Sequence, residues 1–269
     1  MRITFTRRFI GEGGGLNMPD YDTLIFSDDD RVATITLNRP EVGNKTNMRM
    51  VKELLDLCHF IEDESKASVV ILRGAGGVFC EGIDLEDFDP DKPLDIHGFS
   101  KWEKVCTALE RLKKITAAVI EGSCVGGGVQ LALVCDVRLA ETNSSLRFNE
   151  VEMGFIPGLA TFRLAKYIGL GRAKHCILTG RNIPAKEARQ IGLVDKVYHA
   201  IDEKEVLQET IGEFMPFNPD SLELSRRLLN ESFATSYENF TGHFLAAQHR
   251  AITGKTFQEQ LRKGIKDGK

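Results

Sequence analysis

Residues 117–134, AAVIEGSCVGGGVQLALV, form the most informative stretch of the sequence. Its first four residues are all apolar and predict a buried strand. The glycines Gly126, Gly127 and Gly128 allow the backbone to approach another group closely, and the apolar run that follows predicts a helix. Free N–H groups at the start of a helix attract negative charge. We therefore expect a site for developing negative charge where the strand stops.

A second informative stretch is NEVEMGFIPG, residues 149–158. It places two carboxylates, Glu150 and Glu152, beside a turn rich in glycine and proline. An acid-base group and a set of backbone donors could thus meet in one cleft. Of the two, Glu152 is expected to be a solvated neighbour.

Two other kinds of site do not fit this pattern. The glycine triplet lacks the Gly-x-Gly-x-x-Gly spacing of a dinucleotide site, so a nucleotide-dependent enzyme is a weak alternative. Ser123 and Cys124 lack the Gly-x-Ser-x-Gly turn that presents a nucleophile, and no histidine lies nearby in the sequence.

The composition indicates a protein that acts on a small molecule. The chain has 269 residues, 42% of them hydrophobic, and a net charge of −4 with acids and bases interspersed. This gives no basic footprint for nucleic acid or for an anionic membrane surface. No run approaches the roughly 20 apolar residues that cross a bilayer. We expect a cytoplasmic protein.

The cysteines and histidines give no sign of a metal site. The six cysteines lie in apolar stretches without a Cys-x-x-Cys pair, which is typical of buried thiols in a reducing compartment. The six histidines show no ligand spacing either. We predict no metal.

The rest of the chain predicts an α/β domain followed by helices. A hairpin is expected over 24–37, a helix capped by Asn47, and a strand at 69–72 covered on both faces. Strands and helices alternate up to about residue 200 and only helices follow. We predict a disordered lead-in over 1–17, an α/β core over 18–202 and a helical oligomerisation region over 203–269. Met18 could be the functional start, and a targeting role for the lead-in stays open.

Between these elements, residues 78–80 predict a short strand that halts at Glu81 and Gly82. An exposed acidic segment follows over 86–93. Beyond it, Phe99, Trp102 and Cys106 mark a helix in which Trp102 is expected to belong to the core.

Four segments together resemble the crotonase superfamily, the enoyl-CoA hydratase/isomerase family. They are FCEGIDL at 79–85, EGSCVGGGVQL through Asp136, the stretch from Glu150 to Gly158, and NRPE at 38–41. The resemblance runs from about Tyr21 to the C-terminus. It implies a spiral of ββα units with a helical C-terminal region that makes the contacts of a homotrimer or a dimer of trimers.

The resemblance also assigns roles. The backbone N–H groups of Ile83 and Gly127 match the pair that binds the thioester oxygen of an acyl-CoA, and Glu150 matches a catalytic carboxylate. Coenzyme A, as part of the substrate, would need no separate cofactor. The positions expected along CoA are Glu41, Val42, Lys45, Cys80, Glu81, Gly82, Asp84 and Gly126.

The departure from the family is Gln130. Hydratases of the family carry a second glutamate there, and an amide can hydrogen-bond a water but cannot take its proton. A single carboxylate is the pattern of members that move a double bond from position 3 to position 2, which favours isomerisation. Hydration, decarboxylation, C–C hydrolysis, dehalogenation and non-catalytic acyl-CoA binding stay open.

Further expectations concern four single residues. Asp84 and Asp136 are expected to support a loop and a strand end. His97 and Glu86 lie in the variable segment near the acyl pocket implied by the resemblance, where an extra catalytic group could stand.

Overall fold

The computed structural model describes residues 18–29, 31–88, 91 and 96–267, with side chains up to 263. The lead-in predicted over 1–17 lies outside the described residues. The chain forms two compact units that divide between Glu209 and Thr210. No helix among the described residues is both long enough and apolar enough to span a membrane.

The described part contains nine strands and ten α-helices. The strands are β1 (Leu24–Asp29), β2 (Val32–Leu37), β3 (Val69–Gly74), β4 (Ile115–Ile120), β5 (Ser123–Val125), β6 (Val137–Glu141), β7 (Ser145–Arg147), β8 (Ile183–Pro184) and β9 (Lys196–Tyr198). The helices are α1 (Met48–Asp63), α2 (Ile96–Arg111), α3 (Gly127–Leu133), α4 (Ala160–Ile168), α5 (Leu170–Thr179), α6 (Ala185–Ile191), α7 (Glu203–Phe214), α8 (Pro219–Glu231), α9 (Tyr237–Thr253) and α10 (Lys255–Asp267).

Six strands form the main sheet, in the order β1-β2-β3-β4-β6-β9. β1 and β2 are antiparallel, as expected for the predicted hairpin, and the other neighbours are parallel. Every residue of β4 is buried, and so are all but one of β3. Continuous burial is what a parallel sheet covered on both faces requires, so the apolar runs at 69–72 and 117–120 are explained.

The other three strands form a second sheet, in the order β5-β7-β8. The chain crosses between the sheets repeatedly: β4 lies in the main sheet and β5 in the second, then β6 in the main sheet and β7 in the second. After β3, Cys80 pairs with the second sheet through a single parallel bridge to Cys124 of β5. The chain therefore winds as a spiral, and equivalent residues of successive turns lie side by side.

The helices begin where local chemistry predicts. Asn47 caps α1, because its side-chain oxygen accepts a hydrogen bond from the Met50 N–H at 2.9 Å. The buried face of α1 includes Leu54, Leu57 and Ile61, which lie three or four residues apart.

One local prediction is wrong. Residues 78–80 do not form a strand but only the isolated bridge at Cys80, since one turn of the spiral contributes just that contact to the second sheet. Pro184 precedes α6 and pairs in β8 with Ser145, which keeps its backbone extended.

The unit from Thr210 onward is helical throughout its described part. Asn218 and Ser236 cap α8 and α9 through their side-chain oxygens. Many of its large apolar side chains are exposed, including Phe217, Phe233 and Tyr237.

Candidate active site

Two backbone N–H groups, those of Ile83 and Gly127, come together because they occupy the same point in successive turns of the spiral. Cys80 pairs with Cys124, and each N–H belongs to the third residue after its bridge partner. The approach is close: a Cβ built on Gly82 would lie 3.6 Å from the Gly127 nitrogen.

Both N–H groups are available to a ligand. The neighbours of Ile83 are engaged, because the Thr46 N–H donates to the Gly82 oxygen at 2.7 Å and the Asp84 N–H donates to the Thr46 oxygen at 2.9 Å. Gly127 is the first residue of α3, where N–H groups lack partners within the helix. Neither the Ile83 nor the Gly127 N–H has an acceptor within the described part of the chain. The pair can receive one oxygen atom.

The glycines around this pair are required by geometry. Gly126 has a φ of 51° and Gly82 a φ of 92°, which side chains rarely adopt. Gly128 meets a different constraint, because a Cβ there would lie 2.3 Å from the Cys80 carbonyl oxygen. In the triplet, Gly126 therefore forms a turn with a positive φ, Gly127 provides the N–H donor, and Gly128 allows the close approach to Cys80.

Glu150 supplies a carboxylate beside the donors. It follows the buried Phe148 after β7 and is only 2% exposed. Neither carboxylate oxygen has a hydrogen-bond partner among the described residues. Burial raises the pKa of Glu150. The backbone N–H of Glu150 and the Gln130 amide lower this pKa, but they offset the effect of burial only in part. A buried carboxylate of raised pKa is a stronger proton acceptor than a solvated one.

Gln130 lies on α3, one turn after Gly127, and is 5% exposed. The indole N–H of Trp102 donates to its side-chain oxygen at 3.3 Å. The amide of Gln130 is therefore held at the site, although it cannot carry a proton as the second glutamate of the hydratases would.

These groups line a cavity of about 460 Å³. Most of the other lining side chains are apolar: Met48, Val51, Phe88, Phe99, Trp102, Met153, Phe155, Ile156 and Leu159. A cavity of this size and lining suits a small organic ligand with an apolar part.

Two other carboxylates reach the cavity wall, and both are engaged. Asp87 accepts from the Met48 N–H at 2.7 Å. Glu103 pairs with the buried guanidinium of Arg163 at 2.5 Å. Glu150 is therefore the cavity carboxylate that remains available for proton transfer in the described part of the protein.

The structure separates the sequence-predicted residues into two groups. Ile83, Gly126, Gly127, Gln130 and Glu150 line the cavity together.

The other expected CoA contacts are not part of the lining of the cavity. They are Glu41, Val42, Lys45, Cys80, Glu81, Gly82 and Asp84. Glu41 is exposed, whereas Val42 and Lys45 are partly buried. The side chain of Glu81 lies against Gly43. CoA contacts at these positions stay predictions.

Cys80 has no exposed surface, and burial raises the pKa of its thiol to about 12. Its carbonyl oxygen accepts from the Val125 N–H at 2.8 Å. Cys80 therefore holds the backbone that precedes the two N–H donors, and its buried thiol does not face a ligand.

The supporting roles expected for Asp84 and Asp136 are confirmed, and so is the solvent exposure expected for Glu152. Asp84 forms an ion pair with Arg39 at 2.8 Å and caps the short turn that follows it. Asp136 accepts from the Thr116 backbone N–H at 2.7 Å and so ties the start of β6 to β4. Glu152 is exposed and paired with Arg147.

Trp102 corrects the sequence-based expectation. It packs against the core but also lines the cavity, and its ring lies 3.4 Å from where a Cβ of Gly127 would stand. A signal existed in the sequence: Phe99 and Trp102 extend the apolar stripe of Cys106 and Leu109 by one turn beyond the core.

The variable segment contributes other residues than expected. His97 and Glu86 are absent from the cavity lining, which instead includes Asp87 and Phe88. In the part of the chain that the structure covers, no three His, Cys, Asp or Glu side chains gather as metal ligands would.

Comparison with known proteins agrees with this geometry. The sequence profile of the enoyl-CoA hydratase/isomerase family matches residues 28–267. A short-chain-enoyl-CoA hydratase of Clostridium acetobutylicum is 33% identical, over 78% of this chain and 82% of its own.

Solved structures give the same answer. An enoyl-CoA hydratase from Bacillus anthracis superposes with a TM-score of 0.84 at 30% identity, over 91% of this chain and 97% of its own. A Thermobifida fusca protein crystallised with acetoacetyl-CoA gives a TM-score of 0.78 at 25% identity, over 86% of this chain and 95% of its own. The expected crotonase fold is thereby confirmed, and the chain is an enzyme of the enoyl-CoA hydratase/isomerase family.

Proposed function

We propose that this enzyme moves the double bond of a 3-enoyl-CoA to position 2 through a thioester enolate. The observation that carries the proposal is the pairing of one available carboxylate, Glu150, with an amide at position 130. The oxygen of that amide accepts a hydrogen bond from the indole of Trp102, and the Glu150 oxygens have no partner among the described residues.

The steps follow from the arrangement of the cavity. The thioester oxygen accepts hydrogen bonds from the Ile83 and Gly127 N–H groups. Glu150 removes a proton from the α-carbon, and the electron pair of the broken C–H bond delocalises onto the thioester oxygen and across the double bond. The protonated Glu150 then returns the proton to the γ-carbon, so that the double bond shifts and no atom is gained or lost.

The backbone donors matter because the oxygen gains charge in the transition state. Each preorganised donor of this kind is worth about 10²–10³-fold in rate. Burial of Glu150 acts in the same direction, since the raised pKa of the carboxyl makes it a better proton acceptor.

The lining supports an apolar acyl group. Met48, Val51 and Phe99 contribute hydrocarbon surface, and the two other acids of the cavity wall are held in partnerships of their own. The relative crystallised with acetoacetyl-CoA supports a CoA thioester as the substrate. No cofactor besides the CoA of the substrate is needed for these steps.

Hydration of a 2-enoyl-CoA is the second candidate, because the Clostridium relative bears the name of a hydratase. It requires a water that is held and deprotonated between two groups. Gln130 can donate a hydrogen bond to such a water but can neither take its proton nor return it, so efficient hydration is not expected.

Isomerisation can be followed directly. A 3-enoyl-CoA should give a conjugated 2-enoyl-CoA, seen as new absorbance, and mass spectrometry in deuterated buffer reports exchange at the carbon that is protonated. Glu150→Gln should abolish both signals while CoA-thioester affinity stays close to normal. Glu152→Gln is the matched control, because it removes an exposed carboxylate two residues away.

Two results would count against the proposal. Full isomerisation by a folded Glu150→Gln variant would show that the base lies elsewhere. Tight binding of CoA thioesters by the wild-type protein, with neither isomerisation nor exchange, would favour a non-catalytic acyl-CoA-binding protein.

A further inference from the structure

The single tryptophan of this chain, Trp102, lies against both Gly127 and Gln130 of the proposed site. Its ring lies 3.4 Å from where a Cβ of Gly127 would be, and its N–H points to the Gln130 oxygen at 3.3 Å. Trp102 thus contacts the residue that donates to the substrate oxygen and the residue that stands opposite the base.

The contact determines which end of the Gln130 amide faces the cavity. An indole N–H can only donate, so the atom it meets must be the amide oxygen. That oxygen is also confined from another side, because a Cβ on Gly158 would lie 2.7 Å from it. With the oxygen held between Trp102 and Gly158, the NH₂ group is the end left to face other groups.

The group that gains from this orientation is Glu150. Gln130 and Glu150 line the same cavity, and neither buried carboxylate oxygen of Glu150 has a hydrogen-bond partner among the described residues. An NH₂ group turned toward that carboxylate favours its charged form, and the Gln130 side chain accordingly lowers the pKa of Glu150. An amide turned the other way would present its oxygen to the carboxylate and repel it.

We propose that Trp102 is a positioning residue that holds the Gln130 amide with its NH₂ toward Glu150, so that Gln130 acts on the base only as a donor. The proposal rests on the assignment of Glu150 as the base in the proposed function. It also leaves the NH₂ group, a donor that cannot take a proton, as the end of Gln130 that a water in the cavity would meet.

One consequence can be measured without turnover. Because Trp102 is the only tryptophan, its fluorescence reports on this site alone when tyrosine is not excited. Protonation of Glu150 should change the emission through the Gln130 amide. The cavity carboxylates Asp87 and Glu103 could also contribute, so the part due to Glu150 is the transition that Glu150→Gln removes.

The decisive variant is Gln130→Met, which keeps the length of the side chain and removes the amide. We expect the Glu150-dependent fluorescence transition to be displaced to higher pH, because the carboxylate loses a donor, and to become much smaller, because the link to the indole is cut. An unchanged transition in a folded Gln130→Met variant would overturn the proposal, as would a wild-type emission that Glu150→Gln leaves the same.

Activity gives a second and independent reading. Trp102→Phe keeps an aromatic ring and removes the N–H. We expect kcat for isomerisation to fall by about 2- to 10-fold, the range of one neutral hydrogen bond, with KM for the CoA thioester unchanged.

The acidic limb of the pH-rate profile should move to higher pH in this variant. In a Gln130→Met background the same change should have no further effect on that limb, since the two residues act as a unit. An equal displacement with and without Gln130 would show that Trp102 acts only through packing.

The two proposals fail in different ways. A wild-type protein that catalyses another reaction of a CoA thioester would refute the isomerase assignment, while the fluorescence of Trp102 would still report its link to Glu150. Loss of that link with normal isomerisation would refute the positioning role alone.

Discussion

The carboxylate of Glu150 lies directly against Gly126: a Cβ on that glycine would stand 3.2 Å from Oε1 of Glu150. Gly126 precedes the donor Gly127 in the chain. Gly126 therefore lies between the base and one of the N–H donors. Because it has no side chain, the Glu150 carboxylate can approach this part of the backbone.

Substitution of this glycine should displace the base. In Gly126→Ala the new methyl group meets both Glu150 and Asn149, so isomerisation should fall by at least about 10-fold, since misplacement of the base by an ångström or less is costly.

Gly154→Ala is the matched control for this change, because Gly154 also has a positive φ but no atom within 4 Å of its Cβ position. Steady-state kinetics on the two folded variants makes the comparison. Equal losses of kcat would mean that backbone strain, and not contact with Glu150, is responsible.

The donor at position 127 can be tested by a pair of variants that differ in the N–H group. Gly127→Pro should lower kcat by about 10²–10³-fold, because proline has no N–H to offer the thioester oxygen. Gly127→Ala keeps the donor and places a Cβ at an ordinary distance, 3.4 Å, from the Trp102 ring, so it should retain most of the activity. Near-normal turnover of a folded Gly127→Pro variant would place the oxygen site elsewhere.

Glu150 should also reduce stability at neutral pH. Its pKa is raised in the folded protein, mainly by burial, so between the unfolded and the folded pKa the folded state binds more protons than the unfolded chain. The stability of the wild-type protein therefore decreases as pH rises through that interval.

Glu150→Gln removes this effect. Its Tm should exceed that of the wild type near neutral pH, and the difference should shrink as pH falls below the folded pKa. Calorimetry at a series of pH values measures this, and a variant less stable than wild type at neutral pH would contradict it.

The unit from Thr210 onward carries exposed apolar side chains at Phe217, Leu229, Phe233 and Tyr237. A partner copy that covers these side chains would remove their apolar surface from water. We expect a homotrimer or a dimer of trimers, as the family resemblance implies, measured as mass by light scattering. A monomer at micromolar concentration would refute this.

Sequence patterns predicted the elements whose burial follows a regular local pattern. The apolar runs of β3 and β4 and the capped helix α1 could be read from residue order, since their signals are local. The second sheet could not, because β5 and β7 have three residues each and β8 two, and they are held by pairing between turns of the spiral.

The same limit applies to the site. Motif resemblance named Ile83, Gly127 and Glu150, and the structure brings all three to one cavity. Trp102 was missed because its apolar spacing predicts a core residue, and its contact with Gln130 joins helices α2 and α3, which are distant in sequence. Pairings of that kind carry no local signal.

An amide at position 130 leaves the site with one working carboxylate. Rates of isomerisation and hydration, measured side by side in the wild type and in Gln130→Glu, test this. The wild type should isomerise a 3-enoyl-CoA and hydrate a 2-enoyl-CoA poorly. In Gln130→Glu a second carboxylate beside Glu150 would raise the pKa of one of the pair, and hydration should appear as loss of conjugated absorbance. A wild-type enzyme that already hydrates 2-enoyl-CoA at about 10²–10³ per second would contradict the account.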